Sequence, residues 1–207
     1  MPEHERYKSV LLFGAPGVGK GTQGKILASI PGFFHLSTGD MFRALDPLSD
    51  LGKVFRQYST RGELVPDSFT VELWKQYVES QKARNQYRPY AQLLVLDGIP
   101  RNLPQCRLLE FHTDVLALVH LDCVDEDAMV ERLKRRALRE KRADDAKEDV
   151  IRRRLQVYRQ ETSPVLEFFP QELVHKIDAL GTPAEVLARI LAALAPIQAK
   201  HFGNALS

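Results

Sequence analysis

The sequence predicts an α/β fold in which a parallel sheet is flanked by helices. Short apolar runs alternate with segments of helical periodicity, a pattern typical of parallel strands that are covered on both faces. The first apolar run, Ser9–Phe13, leads into a glycine-rich loop and then a helical segment. The length of 207 residues suits one domain, and 44% apolar with 27% charged residues is the usual mix of a globular protein.

The same criteria assign the remaining elements in order. Further strands are predicted at His35–Ser37, Leu93–Leu96, Val115–Leu121 and Leu173–Ile177. Helices are predicted at Thr22–Ile30, Leu51–Arg61, Ser68–Gln81, Leu103–Glu110, Asp125–Arg139, Val150–Thr162 and Pro183–Ala195. Thr182 is expected to cap the last helix, which we expect to stop before Pro196 because proline disrupts a helix interior.

Charge and cysteine content exclude several classes of protein. The net charge is only +2, so the chain lacks the overall basic field of a nucleic-acid-binding protein. Residues 132–159 hold 12 basic and 5 acidic residues, and we expect this segment to meet anions. Cys106 and Cys123 suggest neither a disulfide framework nor a zinc cluster, and no apolar stretch is long enough to span a bilayer. We therefore expect a reduced, cytoplasmic protein without membrane or nucleic-acid partners.

The glycine-rich loop between the first strand and the first helix predicts phosphate binding. Residues Gly14–Lys20 fit the pattern G-x-x-x-x-G-K, in which backbone N–H groups and the lysine surround phosphates. The position after the lysine, usually Ser or Thr, is Gly21, and Thr22 follows it. Mg²⁺ would therefore be held more by nucleotide phosphates and water than by a side chain. Asp97 ends the third predicted strand and is expected to orient water on that ion.

The distribution of arginines predicts phosphoryl transfer, because guanidinium groups grip two phosphate oxygens at once and neutralise charge on the transferring group. The candidates are Arg43, Arg101, Arg132, Arg136, Arg142 and Arg154. Arg132 and Arg136 lie four residues apart and share a helix face, while Arg142 follows a polar stretch that is typical of a mobile lid. Arg135 and Arg139 are interpreted as part of a solvated surface.

Six blocks of the sequence resemble the adenylate kinase family of nucleoside monophosphate kinases. They are GAPGVGKGTQ (Gly14–Gln23), STGDMFR (Ser37–Arg43), GELVPD (Gly62–Asp67), LDGIPRNLPQ (Leu96–Gln105), RADD (Arg142–Asp145) and RRRLQVY (Arg152–Tyr158). The blocks keep the family's order and cover nearly the whole chain. The resemblance implies a P-loop NTPase-type core over residues 1–207, a nucleoside-monophosphate-binding subdomain at 37–66 and a short lid at 135–145. The chain is similar to the short-lid form, so no structural zinc is expected.

The resemblance also implies which residues hold the two nucleotides. ATP would be bound by Gly17, Val18, Gly19, Lys20, Gly21, Thr22, Arg132, Arg136 and Gly181. AMP would be bound by Thr38, Arg43, Glu63, Leu64, Val65, Gly98, Ile99, Pro100, Arg101, Gln105, Arg142 and Arg154. The catalytic set would be Lys20, Arg101, Arg136, Arg142 and Arg154, with Asp97 and Asp40 ordering water around Mg²⁺.

Three positions depart from the family pattern. Phe42 stands where the family often has leucine and Ile99 where it often has phenylalanine, and both keep apolar character. The chain is also one residue longer than expected between the RADD and RRRLQVY blocks. That insertion leaves open whether Arg153 or Arg154 faces the nucleotides, and the spacing to the residues that follow favours Arg154.

The implied reaction is Mg·ATP + AMP ⇌ 2 ADP in a monomer, by in-line transfer without a phosphoenzyme or a catalytic His or Cys. Three alternatives differ in class. Thr38 and Gln105 argue against a pyrimidine monophosphate kinase, and the complete set of Lys20 and arginines argues against a non-catalytic nucleotide sensor. Apart from Tyr158, residues 132–159 lack the interleaved aromatic residues of a nucleic-acid-binding module. The choice between ATP and GTP as donor stays open.

Overall fold

The computed structural model describes residues 6–123, 125–140 and 147–203, and it confirms the predicted α/β fold. The strands are β1 (Tyr7–Phe13), β2 (Phe33–Ser37), β3 (Leu93–Asp97), β4 (Thr113–Asp122) and β5 (Val174–Asp178). They form one sheet in the order β2-β3-β1-β4-β5, and every neighbouring pair is parallel. Each predicted strand is present with slightly different ends.

Helices connect and cover these strands. They are α1 (Lys20–Leu27), α2 (Thr38–Arg43), α3 (Asp50–Ser59), α4 (Asp67–Ala83), α5 (Leu103–Leu109), α6 (Glu126–Glu140), α7 (Glu148–Val157), α8 (Val165–Phe168) and α9 (Pro183–Phe202). The predicted helix over Val150–Thr162 is divided, because α7 gives way to a π-helical turn at Tyr158–Thr162. A 3₁₀ turn at Gln171–Leu173 precedes β5. Helices α2 and α8 are not predicted from the sequence, since they are too short to show helical periodicity.

The prediction that the last helix stops before Pro196 is wrong. Helix α9 contains Pro196 and continues to Phe202. Its start agrees with the prediction, because the Thr182 side chain accepts from the Glu185 N–H in a capping box. Proline removes one helical hydrogen bond, but Ile197 and Phe202 beyond it pack against the core. Burial of that apolar face outweighs the lost bond and carries the helix onward.

The sheet separates two layers of hydrophobic core. Side chains alternate along β1, so that Val10 and Leu12 join one cluster while Leu11 and Phe13 join the other. Helices α1, α6 and α9 cover the first face, and α4 and α5 cover the second. The interior strand β3 is enclosed on both faces, with Leu93–Leu96 fully buried. Because both faces are covered, the loops at the carboxyl ends of the strands are where a ligand can enter.

Gly24→Ala is expected to destabilise the fold by about 1–3 kcal/mol through overpacking. A methyl group at Gly24 in α1 would overlap the ring of His35, which is itself almost fully enclosed on β2. The gain in helix propensity is at most about 1 kcal/mol and does not offset this overlap. The free energy of unfolding measured in urea checks the prediction.

Gly21→Ala on the same helix is the matched control. A methyl group there would lie at an ordinary contact distance of 3.7 Å from Asp97 Oδ2. We expect this variant to be as stable as the parent or slightly more stable. Equal stability of the two variants would contradict the packing argument for Gly24.

The remaining predictions about the chain concern its thiols, metals and membranes. Cys106 is buried, Cys123 is half-buried and both are free thiols. Burial raises the pKa of the Cys106 thiol to about 12, so that group stays protonated. Within residues 6–123, 125–140 and 147–203, no helix has both the length and the apolar character to cross a bilayer. The same residues contain no cluster of three or more His, Cys, Asp or Glu side chains suited to a metal ion.

Candidate active site

An open cleft of about 820 Å³ lies at the carboxyl ends of β1 and β3. One wall is formed by the loop after β1 with α1, and another by α2 with the loop after β3; residues 62–65, α6 and α7 complete it. Nearly all residues that the family resemblance assigns to nucleotides or metal line this one cleft. They are Gly17, Val18, Gly19, Lys20, Gly21, Thr22, Thr38, Asp40, Arg43, Glu63, Leu64, Val65, Asp97, Gly98, Pro100, Arg101, Gln105, Arg132, Arg136, Arg154 and Gly181.

Among the described residues, Ile99 is the assigned residue that is not part of this lining. Ile99 is 2% exposed and packs in the hydrophobic core beside α4 and α5. Its side chain therefore supports the loop after β3 from behind. Arg142 lies outside the described residues, as does most of the second half of the predicted lid.

The loop after β1 takes a shape that glycine permits. Gly14, Gly17 and Gly19 have φ values of 138°, 87° and 115°, a region that other residues rarely adopt. A methyl group on Gly14 would also overlap the carbonyl oxygen of Leu121 in β4. Lys20 begins α1 and folds back over the loop, where its Nζ donates to the Gly14 carbonyl at 2.6 Å and the Ala15 carbonyl at 3.0 Å. The ammonium group is thus held against the loop.

The buried ammonium group of Lys20 loses its proton more readily than that of an exposed lysine. Burial lowers the pKa of the ammonium group to about 8. The carboxylate of Asp97 opposes this effect, whereas Arg101, Arg154 and Arg136 reinforce it by repulsion. A polyanionic ligand bound here would reduce the repulsion among the positive charges around this buried lysine.

Asp97 faces the first turn of α1 from the end of β3. It is 7% exposed, and its Oδ2 lies 3.7 Å from His35 Nε2, longer than a hydrogen bond. The same oxygen would lie 3.7 Å from a methyl group on Gly21, which places the carboxylate directly beneath the loop. Asp40 lies on the α2 wall, where its Oδ1 accepts from Arg43 Nη2 at 2.7 Å.

The wall formed by α2 and the loop after β3 is organised around the carbonyl of Gly98. Thr38 Oγ1 donates to that oxygen at 2.9 Å and Arg101 Nε donates to it at 2.7 Å. Gly98 adopts a φ of 85°, and a methyl group there would lie only 2.7 Å from Thr38 Oγ1, so glycine lets these groups approach closely. The backbone N–H of Arg101 donates to Gln105 Oε1 at 2.8 Å. These bonds fix the guanidinium plane of Arg101 and the side chain of Thr38 relative to each other.

The structure distinguishes the two arginines between which the sequence leaves a choice. Arg154 lines the cleft, whereas Arg153 is exposed and donates from Nη1 to Gln156 Oε1 at 2.9 Å. Gly62, with a φ of 69°, rests on the same helix, since a methyl group there would lie 3.1 Å from Arg154 Cγ. The segment 62–65 therefore packs directly on the part of α7 that carries Arg154.

Some residues that line the cleft were not predicted as site residues from the sequence. Arg135 and Arg139, interpreted as a solvated surface, are exposed but lie on the cleft wall. Gln23 also lines the cleft, and its Nε2 donates to the Pro183 carbonyl at 3.0 Å, which ties α1 to the start of α9. Asp67 does not line the cleft, but its carboxylate accepts from the cleft residue Gln105 and from Asn102. Gln23 and Asp67 are each the last residue of a block that resembles the family, and this position could have marked them as candidate site residues.

Comparisons with known proteins agree on one family. The sequence model of the family described as adenylate kinase matches residues 12–174. The adenylate kinase of Rhodococcus erythropolis is 44% identical over 191 residues, which is 89% of this chain and 98% of that protein. The adenylate kinase of Thermobifida fusca is 41% identical over 192 residues, covering 89% of this chain and 97% of its own. That of Thermus thermophilus is 39% identical over 194 residues, covering 90% and 97%. The chain therefore belongs to the adenylate kinase family.

Proposed function

We propose that this chain catalyses the reversible transfer of a phosphoryl group from Mg²⁺-bound ATP to AMP, which gives two molecules of ADP. The observation that carries the proposal is a single cleft that joins the phosphate loop and Lys20 to the Thr38–Gly98–Arg101 wall. Two phosphorylated ligands bound on these walls would bring their phosphates toward the same group of cations. A site for one nucleotide alone does not require the second wall.

The two walls would divide the nucleotides between them. The residues Gly17–Thr22 would wrap the phosphates of ATP, with Arg132 and Arg136 approaching from α6 and the Gly181 backbone near the base. Thr38, Arg43, residues 63–65, residues 98–101 and Gln105 would hold AMP. We further propose that residues 37–66 act as the AMP-binding subdomain and residues 135–145 as a short lid. Closure of both would keep water away from the transferring group.

The chemistry is a single displacement at phosphorus. An oxygen of the AMP phosphate attacks the γ-phosphorus as the bond to the leaving ADP oxygen breaks on the opposite side, and no phosphoenzyme forms. A phosphate monoester is largely ionised at neutral pH, so no strong general base is needed. Charge spreads over the equatorial oxygens of the transferring group, and Lys20, Arg101, Arg136, Arg142 and Arg154 would neutralise it.

The residues present fit a Mg²⁺ ion bound through water and nucleotide phosphates. Asp97 offers a buried carboxylate beneath the loop, and oxygen is the ligand that Mg²⁺ prefers. Gly21 supplies no hydroxyl next to Lys20, which fits an ion that keeps several waters. Asp97, with Asp40 on the neighbouring wall, would order those waters. When bound, the ion neutralises charge on the donor phosphates.

We also propose an oligomeric state and a cellular compartment for the protein. Membership of the adenylate kinase family supports action as a monomer. The two free thiols favour a reducing compartment, so we propose the cytoplasm. The proposed ligands are ATP, AMP and ADP, with no structural zinc and no nucleic-acid or membrane partner.

Product stoichiometry and phosphorus stereochemistry test the proposed reaction. Consumption of one ATP and one AMP should yield two ADP, as quantified by chromatography. Transfer from ATP with a chiral, isotopically labelled γ-phosphorus should invert its configuration, because one in-line displacement inverts the centre. Retention would indicate a phosphoenzyme and would contradict the proposed mechanism.

Loss of the Lys20 charge is expected to weaken ATP binding as the pH rises through about 8. Bound phosphates raise the pKa of the ammonium group, so above pH 8 the complex holds more protons than its free partners and affinity falls, by at most about tenfold per pH unit. Calorimetric titrations between about pH 7 and pH 9.5 measure the effect. The Lys20→Arg variant keeps its charge over this range and should show a flatter profile. A flat wild-type profile would contradict the assignment.

A further inference from the structure

Asp67, the first residue of α4, has no assigned role in the site, yet two side-chain amides converge on it. Asn102 Nδ2 and Gln105 Nε2 both donate to its Oδ1, each at 2.8 Å. Gln105 is 1% exposed, so its bond is shielded from water. Hydrogen bonds to an ionised carboxylate are stronger than those between neutral groups. One carboxylate oxygen therefore ties the start of α4 to the start of α5.

These bonds give the Gln105 amide a single orientation. Its Oε1 accepts from the Arg101 N–H at 2.8 Å, and its Nε2 donates to Asp67. Turning the amide over would set Nε2 against the Arg101 N–H and Oε1 against the Asp67 carboxylate, which are two repulsive contacts. In the observed orientation the amide keeps a second N–H on Nε2 and a second lone pair on Oε1 for a ligand.

We propose that Asp67 is a positioning residue for the acceptor base, which fixes the Gln105 amide so that the site selects adenine over 6-oxopurines. The inference rests on the proposed function, because it takes Gln105 as a residue that holds AMP. Adenine can pair with an amide through two adjacent bonds, its 6-amino group donating to Oε1 and a ring nitrogen accepting from Nε2. Guanine carries the opposite pattern on its N1 edge, an acceptor at O6 and a donor at N1. Guanine would therefore need the amide orientation that Asp67 opposes.

The substitution Asp67→Ala removes this restraint and leaves Gln105 held by Arg101 alone. We expect kcat/KM for AMP to fall about tenfold, mainly through KM, which corresponds to the loss of one hydrogen bond to a charged group. The ratio of kcat/KM for AMP to that for GMP should fall by at least the same factor. KM for ATP should not change, because the two side chains that donate to Asp67, Asn102 and Gln105, belong to the acceptor side of the cleft. A general loss of structure would not produce this selective shift.

Three further variants sharpen the comparison. Asp67→Asn keeps an oxygen acceptor at the same position and should retain the AMP-to-GMP ratio within about threefold of the wild type. Glu72→Ala removes an exposed carboxylate from the same helix and should change neither kcat/KM for AMP nor the AMP-to-GMP ratio. Should Asp67→Ala fail to fold, Asp67→Ser provides the same test with a side chain too short to reach both amides.

Two results would overturn the proposal: an unchanged AMP-to-GMP ratio in folded Asp67→Ala or Asp67→Ser, or a loss in Asp67→Asn equal to that in Asp67→Ala. Wild-type protein that does not phosphorylate AMP would instead refute the proposed function. The two failures are therefore distinguishable in one set of assays.

Discussion

Arg101→Ala is expected to lower the turnover number for AMP phosphorylation on the order of 10³-fold, the effect of removing a guanidinium that stabilises transferring phosphoryl charge. The Nε bond of Arg101 to the Gly98 carbonyl, at 2.7 Å, sets the plane of its guanidinium in the cleft. The Nη groups are then oriented to grip two oxygens of a phosphate. Steady-state kinetics with saturating Mg·ATP and AMP measure the loss.

Two control variants distinguish the effect of the two-pronged guanidinium geometry from that of positive charge alone and from nonspecific effects of replacing an arginine. Arg101→Lys keeps the positive charge without the two-pronged geometry, and we expect it to recover only part of the lost rate. Arg107→Ala removes an exposed arginine from α5, away from the cleft, and should leave turnover unchanged. Near-normal turnover in folded Arg101→Ala would refute the role assigned to Arg101.

Arg154→Ala is expected to cause a loss of similar size, on the order of 10³-fold in turnover. Arg154 is half-buried on α7 and lines the cleft, and it contributes to the repulsion that lowers the pKa of Lys20. Its removal should also raise the pKa of Lys20, because one repulsive charge is lost. The measurement is turnover together with the pH dependence of ATP binding.

The neighbouring Arg153 provides a matched control, because it is the same residue type one position away on the same helix. Its side chain is exposed and bonded to Gln156, so Arg153→Ala should change turnover by less than about threefold. The opposite result, in which Arg153→Ala loses activity and Arg154→Ala does not, would show that the extra residue between the RADD and RRRLQVY blocks shifts the catalytic register.

Local sequence signals predicted the parts of the fold that depend on neighbouring residues. The run Ser9–Phe13 and the glycines after it indicated the strand, the loop and the following helix, because burial and positive φ each restrict residue choice strongly. The capping role of Thr182 followed from the same local chemistry. The parallel pairing of the strands followed from the alternation of strands and helices, whereas the order β2-β3-β1-β4-β5 came from the structure.

Features that depend on tertiary contact could not be predicted in this way. Helix α9 continues past Pro196 because Ile197 and Phe202 find a core to pack against, which the local sequence does not reveal. The exposed Arg135 and Arg139 line the cleft because of how α6 is placed over it. These differences arise where distant elements meet.

The hydrogen bonds around the acceptor wall show the same limit. Asp67 and Gln105 are 38 positions apart in the chain, and their bond exists only because α4 and α5 start side by side. The sequence marked both residues as parts of family-like blocks, but nothing in either block indicated that they touch. Pairing of side chains across helices therefore had to come from the structure.

A comparison of phosphoryl acceptors tests directly whether the protein phosphorylates AMP. Purified protein with Mg·ATP receives AMP, GMP, CMP or UMP in separate reactions, and each diphosphate is quantified by chromatography. We expect rapid ADP formation with AMP and little product from the other three. Preferential formation of CDP or UDP would contradict the assigned roles of Thr38 and Gln105, and bound ATP without transfer to any acceptor would contradict the proposed enzyme activity itself.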